Sequence, residues 1–237
     1  MDGRPLVNNE FWGVLIPNSS GVNSPFKERD NLLLGLACIC GLREIELSQI
    51  TIGLFIAPTG EFNEFVILPE SITYDGYDRP IVMAQEQLKE WFVKYVVWLI
   101  NNGINTQQGK SYQGLNPNAQ LFLNDDYKPF TLQKRGNDVL SPNQMNKHLD
   151  SLIKKTDLWA KGIRRKSFIR ACTISAYRSD MSVNDIMITT GQSEETIKKT
   201  LVMDYEQYSP IADWFEKRRT QKAKRLESFK KRRKYQR

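Results

Sequence analysis

Two groups of residues in this chain have the type and spacing to meet phosphate. The first is Arg43 in Gly41-Leu42-Arg43-Glu44-Ile45-Glu46, directly after an apolar segment. The second is the run Lys154, Lys155, Lys161, Arg164, Arg165, Lys166 and Arg170, interleaved with Trp159 and Phe168. Guanidinium and ammonium groups clustered beside aromatic rings suit the sugar-phosphate backbone of nucleic acid. The plainer alternatives are an exposed Arg43 paired with Glu46 on a short helix and a solvated basic helix face. Charge distribution separates these alternatives better than net charge does. Residues 217 to 237 carry a local charge of +11, which leaves −4 for the remainder of a chain whose total is +7. A mildly acidic body binds duplex DNA through local patches and its basic tail, if it binds at all.

The elements that must position these groups follow from pattern. Ser24-Pro25 opens a helix through Leu32, Leu33, Leu34, Leu36, Ala37 and Ile39, and Gly41 stops it with a left-handed residue, leaving Arg43 at a sharp corner. Loose alternation over 50–58 and 65–69 around Thr59-Gly60 suggests two strands and a turn, with Asp75-Gly76 continuing the sheet or a loop beside it. Leu88, Trp91, Phe92, Tyr95, Val96 and Leu99 fall at helical spacing within 83–99. Residues 101–120 read as a long loop, and Leu121-Phe122-Leu123 as a short strand. Ser141-Pro142-Asn143-Gln144 has the form of a capping box. Further helices are expected over 167–177, over 183–190 capped by Ser182, and over 194–202 capped by Ser193, with Gly191 between the last two. Residues 1–23 read as an irregular lead-in anchored by Phe11 and Trp12. Residues 182–202 also have the form of a helix-turn-helix.

Taken in order, four segments resemble the conserved boxes of the tyrosine site-specific recombinases, the phage-integrase family. They are Gly41-Leu42-Arg43 with Glu46; Ser167-Phe168-Ile169-Arg170; Thr190-Gly191-Gln192-Ser193; and Met203-Asp204-Tyr205-Glu206-Gln207-Tyr208. The resemblance spans most of residues 26 to 215. It implies an α+β, mostly helical fold like the recombinase catalytic domain, with a small antiparallel sheet. A domain over 24–215 would lie between the lead-in and a basic tail over 216–237. It further implies that Arg43 and Arg170 bind the scissile phosphate, that Tyr205, with Tyr208 as rival, is the nucleophile, and that Ser167 and Gln192 stand where the family carries His, or His or Trp. Neither cofactor nor metal would be needed. The partners would be double-stranded DNA of a mobile element or invertible segment and a tetramer of like or unlike protomers.

The family's lysine general acid has no counterpart in residues 44–88, where Arg79 is the only base. An arginine stays charged and is a poor proton donor, but it could hold a phosphate. Arg79, Lys161, Arg164, Arg165 and Lys166 are therefore the expected DNA contacts. The missing lysine and histidines keep an alternative open, an inactive relative or helix-turn-helix protein acting as regulator or accessory factor. Other classes fit less well. Cys38, Cys40 and Cys172 are an odd set better read as buried thiols than as disulfides, and the only histidine, His148, lacks a ligand pattern. No stretch approaches the roughly twenty apolar residues of a membrane span, and no signal run opens the chain, so the expected location is cytoplasmic.

Overall fold

Helix α1 (Lys27–Cys38) forms the axis of the fold, and in the computed structural model, which describes residues 3–21, 23–136, 139–204 and 224, every position from Arg29 to Cys38 is buried. A helix that is apolar on most of its surface must be covered on all sides. On one side lies α4 (Glu86–Asn101), which presents the expected stripe Leu88, Trp91, Phe92, Tyr95, Val96 and Leu99. Gly35 permits their close approach, since a Cβ there would lie 2.5 Å from Leu88 Cδ2 and 2.9 Å from Trp91 Cζ3. The two buried charged residues of α1, Arg29 and Asp30, are compensated. Arg29 pairs with Asp30 at 2.8 Å and donates to the Leu123 carbonyl, while Ser20 Oγ and His148 Nε2 approach the Asp30 carboxylate at 2.7 and 3.0 Å.

Gly41 ends the α1 corner as expected, with φ +68°, and the Leu42 N–H turns back to the Leu36 carbonyl. The glycine has a second use. A Cβ at Gly41 would sit 3.0 Å from Cys172 Sγ and 3.2 Å from Ile169 Cδ1, so its absence lets the corner close on α6 (Lys166–Arg178), the helix that carries Arg170. After the corner come two short helices, α2 (Glu44–Leu47) and α3 (Ile52–Phe55). The strand expected over 50–58 is thus replaced by α3, with single bridges at Thr51 and Ile56. Ile52, Phe55 and Ile56 are all buried, and their spacing of i, i+3, i+4 serves a helical turn as well as loose alternation serves a strand.

The sheet is an antiparallel pair, β1 (Phe65–Leu68) and β2 (Arg79–Val82), in register Phe65 with Val82 through Leu68 with Arg79. Residues 69–78 form the connecting loop. The excursion over 101–120 is irregular as expected, while 121–123 pairs only through single contacts, such as the Leu121 N–H to the Ile50 carbonyl. A second small pair, β3 (Gln133–Arg135) with β4 (Val139–Ser141), has no counterpart among the expectations. It also alters the cap of α5 (Asn143–Lys154): Ser141 ends β4 and hydrogen bonds to Asn143 Oδ1, and Gln144 accepts from the Thr131 N–H rather than closing a capping box.

α7 (Val183–Thr190) and α8 (Glu194–Leu201) have the predicted caps, Ser182 accepting from the Asp185 N–H and Ser193 from the Thr196 N–H, with Gly191 left-handed between them. Residues 8–19 depart from the irregular lead-in. They form one helical run, including a π-helical turn over Phe11–Leu15, that buries Phe11 and Leu15. Hydrophobic spacing overrides the scattered Gly13 and Pro17, the latter lying in the first turn of its helical piece, where proline is tolerated. The three cysteines are unpaired thiols, Cys38 and Cys172 buried. Burial pushes the Cys172 thiol up to about 12, which makes it inert rather than nucleophilic.

Candidate functional site

Arg43 stands at the N-terminus of α2 in extended conformation, so its side chain leaves the helix axis while its backbone is fastened by Glu46. Glu46 is 0% exposed and accepts the Arg43 N–H at 2.6 Å and the Tyr74 N–H at 3.0 Å. It also forms an ion pair with the guanidinium of Arg79. One buried carboxylate therefore ties the corner, the hairpin loop and β2 together. Burial pushes its pKa up, against the opposing pull of Arg79 and of the two backbone donors.

The Arg43 guanidinium lies 4.0 Å over the ring of Tyr74, and its Nη2 donates to the Gly191 carbonyl at 3.4 Å across 148 positions of sequence. Its Nε is buried without an acceptor among the described residues. Desolvation lowers the Arg43 pKa, but an arginine remains cationic at neutral pH. Beside Gly191, the amide nitrogen of Gln192 donates to Thr173 Oγ1 at 2.7 Å, and Thr173 sits on α6 one turn after Arg170. Arg43, the Gly191-Gln192 turn and the helix of Arg170 are thus brought together. Arg170 itself hydrogen bonds to the Gly3 carbonyl, contributed by the N-terminal segment that crosses this helix.

Several expected contacts have different surroundings. Arg79, expected at a phosphate, is 1% exposed inside the hairpin and serves as the counter-charge of Glu46. Ser167, which the resemblance puts where the family carries His, is 0% exposed, and its hydroxyl accepts the Arg164 N–H at 2.9 Å in the turn that leads into α6. Arg164 folds back on Trp159, 3.9 Å over its ring and donating to the Trp159 and Ile163 carbonyls at 2.7 Å. Arg165 binds Glu44 at 2.7 Å, Asn146 at 2.7 Å and Asp150 at 3.1 Å, a strut joining α2, α5 and α6. Lys161 is exposed and pairs with Asp157. Lys166 lines, with Arg43, Tyr74, Arg164 and Arg165, an open cleft of about 490 Å³. Tyr205 and Tyr208 lie outside the described residues, as does nearly all of the basic tail; the nearest described residue is Asp204, buried and paired with Arg178 of α6. Tyr74 and Thr173 were not anticipated. An aromatic residue beside Asp75-Gly76 in a hairpin loop is the only sequence signal for the first, and the second has none.

No protein-family model matches the chain, and no curated protein matches it. Solved structures do. The XerA recombinase matches with TM-score 0.59 at 16% identity, over 87% of this chain and 65% of that one. The XerH site-specific recombinase, bound to palindromic difH substrate as a post-cleavage complex, matches with TM-score 0.59 at 13% identity, over 91% and 54%. The Tn1549 transposon integrase in complex with a circular intermediate DNA matches with TM-score 0.51 at 16% identity, over 90% and 66%. The chain spans about half to two thirds of the length of these proteins.

Proposed function

From the premise that the chain has the fold of a tyrosine recombinase catalytic domain, we propose that it is a site-specific DNA strand transferase. It would cut and rejoin duplex DNA through a phosphotyrosine intermediate. One observation supports this most: Arg43 meets the Gly191-Gln192 turn, and Gln192 is held by the helix that carries Arg170. Arg43 and Arg170 would take the non-bridging oxygens of the scissile phosphate, where charge accumulates during attack. The phenolic oxygen of Tyr205, or of Tyr208, would form the new bond to phosphorus as one bond to a sugar oxygen breaks and that oxygen leaves with a proton. Asp204, held by Arg178 Nε at 2.9 Å, anchors the chain just before Tyr205. Arg178 lies eight positions beyond Arg170, a helical rise of about 12 Å.

Arg79 is committed to Glu46 and no lysine lies in the hairpin, so the hairpin offers no ammonium group as proton donor, and slow cleavage is the expected behaviour. DNA of a mobile element would be the substrate, with four like or unlike protomers as the working assembly. A helix-turn-helix regulator is the weaker account. A recognition helix reads bases with its N-terminal residues, and the first turn of α8 carries Glu194 and Glu195, each paired with a lysine of the same helix.

The test is trapping on a nicked suicide duplex drawn from DNA flanking the gene. A covalent adduct lost only in Tyr205→Phe identifies that tyrosine, and one lost only in Tyr208→Phe moves the site by three positions. Salt-sensitive binding with no adduct counts against strand transfer and favours an inactive relative or a regulator.

A further inference from the structure

We infer that Tyr74 is a positioning residue for Arg43, its ring setting the plane in which that guanidinium would meet a DNA phosphate. The inference rests on the function proposed above and deepens it. An arginine side chain has many rotamers, and something must select one before binding. Glu46 does not, because it takes the backbone N–H of Arg43. Among the described residues the guanidinium is held by the Tyr74 ring at 4.0 Å and the Gly191 carbonyl at 3.4 Å, while Nε has no acceptor.

The ring is itself placed by the hairpin. The Tyr74 N–H is bound by Glu46 at 3.0 Å, and Thr73 Oγ1 donates to the Glu70 carbonyl at 3.1 Å. Next in sequence, the Asp75 carboxylate closes on the Gly191 turn, where an added Cβ would stand 2.8 Å from Asp75 Oδ2. Loop 69–78 and the Gly191 turn thus enclose Arg43 from two directions. Both Arg43 and Tyr74 line the 490 Å³ cleft, and Tyr74 is 62% exposed, so replacing its ring removes little from the core. Among the described residues its hydroxyl has no partner. The ring face is therefore the working part, and phenylalanine should substitute for it.

The experiment follows the side-chain Nε–Hε resonance of Arg43 by 15N NMR in the full chain during titration with inorganic phosphate. Arg43→Lys identifies the signal, and Tyr77→Leu, an exposed neighbour in the same loop, serves as control. Tyr74→Leu should abolish the ring-current displacement of the signal and weaken phosphate binding at Arg43 by about tenfold. Tyr74→Phe should retain both, and Tyr77→Leu should change neither. Equal phosphate affinity in wild type and Tyr74→Leu overturns the positioning role while leaving Arg43 as a phosphate ligand. Loss of binding in Tyr74→Phe overturns it in favour of the hydroxyl. An Arg43 signal that phosphate moves in no variant overturns both this inference and the phosphate-binding role of Arg43 proposed above.

Discussion

The corner at Arg43 and the basic stretch from Lys154 to Arg170 both look like phosphate sites in the sequence, but their surroundings differ. The corner has a single half-buried cation; a buried carboxylate fastens its backbone, and an aromatic ring and a distant carbonyl fix the direction of its side chain. The basic stretch has many cations, and the fold occupies several of them: Arg164 against Trp159, Arg165 against Glu44, Asn146 and Asp150, Lys161 against Asp157. Local charge density is therefore a poor measure of available charge. A lone arginine with an organised environment is the better candidate for chemistry, since preorganisation is what makes a charge effective in a transition state.

The contrast can be tested from its strongest point downward. Glu46→Ala leaves Arg79 buried without its counter-charge and should cost about 3–5 kcal/mol, measured by urea unfolding. A loss near that of an exposed ion pair would show that the corner is not organised around Glu46. Arg43→Ala should lower strand cleavage on the suicide substrate by about a hundred- to a thousandfold with little change in unfolding midpoint; equal cleavage would remove Arg43 from the chemistry. Gly41→Ala forces a side chain into a left-handed residue and against Cys172 and Ile169, for an expected cost of about 1–3 kcal/mol in the same unfolding assay. Lys161→Ala should alter stability by less than about 1 kcal/mol, because its pair is exposed. If Lys161 leaves Asp157 for DNA, that variant should also reduce the salt slope of duplex binding by about one unit; an unchanged slope would confine Lys161 to its intramolecular pair.

Helices with strong local signals were legible in the sequence. The stripe of α4, the caps of α7 and α8 and the glycine stop after α1 are local features, each depending on residues a few positions apart. Short elements were less so. Ile52, Phe55 and Ile56 satisfied two periods at once, and only their packing chose the helix. Ser141 had the form of a cap, but pairing of β4 with β3 recruited it first. At the candidate site, the convergence of Arg43 with the turn at Gly191 followed the order of the boxes, while the burial of Arg79 and Ser167 did not. A side chain's type is visible in a sequence, but whether it faces solvent depends on what other segments lay over it.

By itself the sequence determined which segments could be helical, where the chain had to turn, and that one arginine would emerge at a corner. These outcomes rest on backbone sterics and hydrophobic spacing within a few residues. Only the tertiary structure decided that Glu46 would clamp three elements, that Tyr74 would lie over Arg43, and that Thr173 would hold Gln192. Apart from the local bond between the Arg43 N–H and Glu46, those contacts join residues from separate elements, and they arise when burial of α1 brings those elements together and leaves their polar groups to find partners away from water.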